Sequence, residues 1–366
     1  MRNVIVVLTL LTLAVMSGCV SQTEQEKEIK IGASIPLTGP LSAWGLTGKD
    51  SIELANSMRP DIRGDKITVL FEDDKGDPTE AVKIASKFLE VDKSRILIGS
   101  ASSTMMATVP LTEQKKAILM SWISATPRLT TAGDYVFRTS SSSKLMAETA
   151  AKSLLSANMT RVAILYEINE YPAGWKDVFS KEFTEAGGTI TGVESFNSAE
   201  SDVRSQLVKL ESVKPDAIFM MIITPGAAKS SIRQFSELGL KQQAMGNEVF
   251  SLNVVRKNNS DVEGMTVLRY KFYPSARKSK EFLEAYEKKF GKQPSEELYG
   301  AMAFDAYNLL ADSMGKCEND LECIKMYLYS VKNYEGASGT FSIDENGDSV
   351  HEFVMSRIAN GTLEDI

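Results

Sequence analysis

Short apolar runs alternate with longer stretches of helical spacing from Ile29 to about Gly246, and this rhythm limits the chain to few architectures. Residues 29–35, 66–71, 95–99 and 117–120 read as strands. Between them, residues 44–58, 79–91 and 103–115 carry apolar positions at helical spacing. Asp77-Pro78 supplies a cap and a first helical residue, and Ser102 or Ser103 is the expected cap of the third helix. After Tyr135-Val136-Phe137-Arg138 the cycle restarts. Helices are expected at 142–157, 173–186, 203–213 and 227–238, and strands at 161–166, 189–196, 217–223 and from 244. Strands that alternate with helices form a parallel sheet covered on both faces. Two cycles in 366 residues predict an α/β fold of two doubly wound parallel-sheet lobes. The tail is less regular: helices at 278–290 and 295–314, a strand and turn over 339–348, and a last strand at 353–358.

The first nineteen residues bear on location. Arg2 precedes a run from Val4 to Val15 that only two threonines interrupt, and Met16-Ser17-Gly18 leads directly to Cys19. A charged start, a short apolar run and a small-residue site make a secretory signal. A bilayer span needs roughly 20 apolar residues, more than are present. Cysteine directly after Ser-Gly looks like the lipobox of exported lipoproteins, which implies a signal peptide over 1–18 and a lipid on Cys19. Residues 19–28 then form a polar tether. In an exported chain Cys317 and Cys323 default to a disulfide. The formal net charge of −7 argues against nucleic acid as a partner. There is one histidine, His351, and no cysteine–histidine cluster, nucleophile elbow or phosphate loop. No metal, no cofactor and no enzymatic activity are therefore expected.

Ligands of open α/β sheets bind beyond the carboxyl ends of the strands. The segments there are 36–45 with Trp44, 99–104, 121–127, 167–171 with Tyr171, 224–226, and Asn247-Glu248. One side is rich in hydroxyls. Ser103 at a helix start can bind an anion without lysine or arginine, or can simply cap the helix. Glu248 can pair with an ammonium group, or can be a solvated loop charge. Trp44, Trp122 and Tyr171 can stack on a ligand or pack a core. Asp73-Asp74 reads as a turn or cap.

These stretches together resemble type I periplasmic binding proteins of the branched-chain amino acid class, the substrate-binding subunits of ABC importers. The resemblance rests on Ile31-Gly32 with Pro36-Leu37-Thr38-Gly39-Pro40, Glu72-Asp73-Asp74, and Ile98-Gly99-Ser100-Ala101-Ser102-Ser103. It continues through Ala125-Thr126-Pro127-Arg128, Tyr135-Val136-Phe137-Arg138-Thr139, Lys214-Pro215-Asp216-Ala217, Glu237-Leu238-Gly239-Leu240 and Ala303-Phe304-Asp305-Ala306-Tyr307. It implies two lobes joined by a three-strand hinge, with residues 29–141 plus 270–350 in one and 142–269 plus 351–366 in the other. It further implies an amino acid held at both ends. Ser103, Ser124, Ala125 and Thr126 match the carboxylate side, and Glu248 matches the ammonium side. Trp44, Tyr171 and Thr224 match further contacts. Pro172 stands where the family usually has glycine, Ala125 where it usually has threonine, and Trp122 is bulkier than usual. The implied role is a lipid-anchored, monomeric carrier of a small aliphatic amino acid for an ABC permease and its ATPase subunits, its only membrane contact the lipid. A sensor subunit, or a carrier of amides, urea or aromatic acids, is the alternative.

Overall fold

The computed structural model describes residues 28–366 except 198 and 201. The signal segment, Cys19 and nearly all of the tether lie outside the described residues. Two sheets dominate. The first has the order Asp61–Ile62, Asp65–Asp73, Glu28–Ile35, Ile96–Gly99, Ile118–Ser121, Val136–Arg138. Its strands are parallel except for the two-residue edge hairpin. The second runs Thr362–Asp365, Phe353–Ala359, Thr266–Tyr270, Gln243–Gly246, Ala217–Met221, Arg161–Glu167, Thr189–Phe196. Its last five strands are parallel, and the two C-terminal strands add an antiparallel edge. Helices cover both faces, so central strands are apolar throughout. Every residue of Ala217–Met221 is buried. Burial of each large side chain there contributes roughly 1.5–3 kcal/mol.

Side-chain caps set several helix starts. Asp77 accepts from the amides of Thr79 and Glu80 ahead of Pro78–Glu90, and the Ser142 hydroxyl accepts from Lys144 ahead of Ser143–Ser156. Three details differ from the sequence reading. The helix over Ser102–Gln114 has Ala101 at its N-cap and no capping side chain, so neither Ser102 nor Ser103 caps it. The helix after the strand Arg161–Glu167 starts at Glu170, not at residue 173. Asn169 caps it, and Pro172 sits in the first turn, where no intrahelical N–H is lost. The tail holds an unforeseen helix, Leu321–Tyr329, capped by Asp320, and Cys323 in it is joined to Cys317.

The chain passes between the sheets three times, at 138–143, 270–277 and 350–353. The crossings are bonded to one another. Ser141 donates its amide to the Tyr270 hydroxyl (3.2 Å), and His351 donates its amide to Ser141 Oγ (2.9 Å). The His351 ring nitrogen Nε2 lies 2.8 Å from Thr139 O, and burial lowers the ring's pKa to about 4. Beside them, the fully buried Arg138 guanidinium grips both Asp348 carboxylate oxygens at 2.5 and 2.6 Å. It also donates to the carbonyls of Ser124 and Thr126. One buried charge pair thus fixes the crossings and the loop over 124–126.

Candidate functional site

A cavity of about 20 Å³ lies between the sheets, beside the crossings. That is room for roughly one water. Pro36, Leu41, Trp44, Ser100, Ala101, Ser102, Ile123 and Ala125 line it from one lobe; Tyr171, Ile223 and Glu248 line it from the other. Tyr270 at a crossing and Tyr299 close it.

Each wall follows from its local fold. On the first, Asp73 accepts from the amides of Leu37 (2.8 Å) and Thr38 (3.2 Å) and from the Thr38 hydroxyl (2.6 Å). The turn role expected of Asp73 is thus to shape the loop carrying Pro36 and Leu41. The helix Ser42–Met58 then presents Trp44. It can approach because Gly45 and Gly48 lack side chains: a Cβ would meet Pro36 O at 1.9 Å and the Trp122 ring at 2.4 Å. Trp122 is core packing against that helix rather than cavity wall. The uncapped start of Ser102–Gln114 adds backbone N–H groups and a partial positive charge beside Ser100 and Ala101. Ser100 Oγ and Trp44 Nε1 are buried with no hydrogen-bond partner among the described residues. Buried donors left so are costly and invite a ligand acceptor.

The opposite wall centres on Glu248, which follows the Gln243–Gly246 strand and opens a short 3-10 turn. Its side chain is almost wholly buried. The Tyr171 hydroxyl lies 2.6 and 2.7 Å from its two oxygens. No lysine, arginine or histidine lines the cavity, and no ion pair among the described residues includes Glu248. Burial pushes the carboxyl up to about 7, while the bond from Tyr171 opposes that rise. Burial and the adjacent Glu248 raise Tyr171 well above the ordinary phenol value, so its hydroxyl stays a donor. Trp44 and Tyr299 meet edge to face at 4.7 Å, and Tyr270 and Tyr299 at 6.3 Å.

The structure brings Trp44, Ala125, Tyr171 and Glu248 to the cavity. The other four expected residues lie around it rather than in its wall. Ser103 is half-buried in the first helical turn, where Ser100 and Ser102 face the cavity instead. Ser124 Oγ bonds to Ser102 Oγ (3.0 Å) and so supports it. The Thr126 hydroxyl donates to Glu170 (3.1 Å). The Thr224 hydroxyl donates to Glu167 (2.6 Å), which also accepts the amides of Ile223 and Thr224. Tyr270 and Tyr299 were not foreseen. Tyr299 is in a long helix of the irregular tail, and nothing in its neighbourhood separates it from a core tyrosine.

Two α/β lobes around an enclosed site, with an anion-favouring wall facing a buried carboxylate, define a solute-binding protein. The family model of the periplasmic binding proteins matches residues 28–362, and the chain belongs to that family. The family is one of non-enzymatic solute-binding proteins for transporters. A Leu/Ile/Val-binding protein of Citrobacter freundii is 26% identical over 365 residues, covering 96% of this chain and 98% of that protein. The solved leucine binding protein of Thermotoga maritima superposes with a TM-score of 0.84 at 27% identity, covering 92% of this chain and 97% of that one. A solute-binding protein of R. palustris, solved in complex with benzoate, superposes at 0.83 with 18% identity, covering 93% and 95%. No helix of the described residues is long and apolar enough to cross a membrane.

Proposed function

We propose that this chain captures an α-amino acid with a small aliphatic side chain between its lobes and hands it to an ABC permease. The observation that carries the reading is the buried, uncompensated Glu248 carboxylate facing an uncapped helix start. An ammonium group of the ligand pairs with Glu248 and Tyr171. Its carboxylate takes the helix amides with the Ser100 hydroxyl and Trp44 N–H. Leu41, Ile123, Ile223 and Tyr299 are left for the side chain, which favours an aliphatic group. An aromatic acid without an amine would leave Glu248 buried and unpaired, a cost that weighs against the benzoate type of ligand. The relatives named for leucine, isoleucine and valine support the same choice.

The cavity holds little more than a water, so entry requires the lobes to part. The bodies that move are residues 29–141 with 270–350 and 142–269 with 351–366, turning about the three bonded crossings. The protein acts as a monomer outside the cytoplasmic membrane. A lipid on Cys19 and the tether 19–28 hold it close to the permease and raise its effective concentration there. Calorimetry with the twenty amino acids tests the ligand. Strong binding of leucine, isoleucine or valine is expected; a response to an amide or aromatic acid alone sinks the amino-acid reading.

A further inference from the structure

Two carboxylates outside the cavity bridge the lobes. Glu170 begins the helix Glu170–Glu185 of the second lobe and accepts from two residues of the first lobe: Arg128 Nη1 at 2.8 Å and the Thr126 hydroxyl at 3.1 Å. Glu296 stands at the N-cap of Glu297–Cys317 in the first lobe. It accepts from two amides of the second, Asn253 at 3.3 Å and Val254 at 3.5 Å, and the Asn253 side chain donates to Ser295 O at 3.2 Å. Each carboxylate is within one helical turn of a cavity tyrosine. Glu170 precedes Tyr171, the partner of Glu248, and Glu296 is three residues before Tyr299, the partner of Trp44. Neither lines the cavity.

We infer that Glu170 and Glu296 form a two-point clasp between the lobes that sets how long a captured ligand stays. The inference rests on the lobes parting to admit the ligand, as proposed above. Both carboxylates meet their partners across the cleft only when the lobes are together. Their bonds therefore add to the closed form and nothing to the open form that a ligand first meets. A closed-form contact slows escape and leaves encounter unchanged. Both are positioning residues: they hold the lobes together and line no part of the cavity.

The test is stopped-flow tryptophan fluorescence with L-leucine on Glu170→Ala, Glu296→Ala and the double variant. Each single change is expected to raise the dissociation rate about threefold and the double about tenfold, because partly exposed pairs contribute modestly. The association rate and the melting temperature without ligand stay as in the unaltered protein. Exchanging the charges, Glu170→Arg with Arg128→Glu, recovers residence time lost in Glu170→Ala. Unchanged dissociation in the double variant, or an association rate that falls as much as dissociation rises, overturns the clasp. Absence of any leucine signal from the unaltered protein refutes the ligand assignment instead. The same two rates read with the amide or aromatic acid that calorimetry shows to bind then decide: Glu170→Ala with Glu296→Ala must raise dissociation and spare association. Unchanged dissociation of that compound overturns the clasp.

Discussion

The two walls of the cavity solve opposite electrostatic problems by different means. The first wall carries no formal charge but leaves donors open: an uncapped helix start, Ser100 and the Trp44 N–H. The second carries a full charge, Glu248, whose bond comes from a neutral phenol. The difference teaches where each energy is stored. An open helix start costs the fold about 1 kcal/mol relative to a capped one. A buried carboxylate without a counter-ion costs more and makes that cost depend on pH.

The largest expected effect is on the charged wall. Glu248→Ala should weaken leucine binding by roughly 2–5 kcal/mol, at least ~30-fold, because the ligand's ammonium is left buried without its partner. Calorimetry reads this directly, and unchanged affinity removes Glu248 from the site. The same residue destabilises the empty protein. Its folded pKa, about 7, lies above its ordinary 4.5, so the penalty is absent below pH 4.5, grows as pH rises to 7 and is complete above it. Glu248→Gln should therefore raise ligand-free stability at pH 8 by up to about 3 kcal/mol and flatten the pH dependence of the melting temperature between 5 and 8.

Smaller effects belong to the uncharged wall. Ala101→Asp should cap Ser102–Gln114 and stabilise the empty fold by about 1 kcal/mol, while its carboxylate takes the amides meant for the ligand and lowers affinity tenfold or more. A gain in melting temperature with unchanged affinity would show that the helix start does not serve the ligand. Ser100→Ala should cost binding about 1 kcal/mol, the scale of one hydrogen bond. A loss on the first wall as large as that from Glu248→Ala would contradict the asymmetry of the walls.

The architecture was legible because strand and helix periodicities leave direct marks, such as the continuous apolar run at 217–221 and the Asp77-Pro78 start. That Glu248 and Tyr171 reach the cavity was legible through their places beyond strand ends. The helix cap was misread because two serines follow Ala101, and capping preference alone cannot tell that the start faces a cavity. Ser124, Thr126 and Thr224 carry suitable hydroxyls, but Ser102, Glu170 and Glu167 engage them. Such pairings are long-range contacts that no local pattern records. Tyr299 and the Arg138–Asp348 pair are of the same kind, the latter spanning 210 positions.

The account stands or falls on Glu248 as the acceptor of the ligand's ammonium group. Leucine titrated at pH 6 in buffers of different ionisation enthalpy measures the protons exchanged on binding. With the free carboxyl at about 7 and the bound one ionised, binding at pH 6 should release close to one proton and at pH 8 almost none, with affinity falling as pH drops below 7. Binding at pH 6 with no proton released would contradict it.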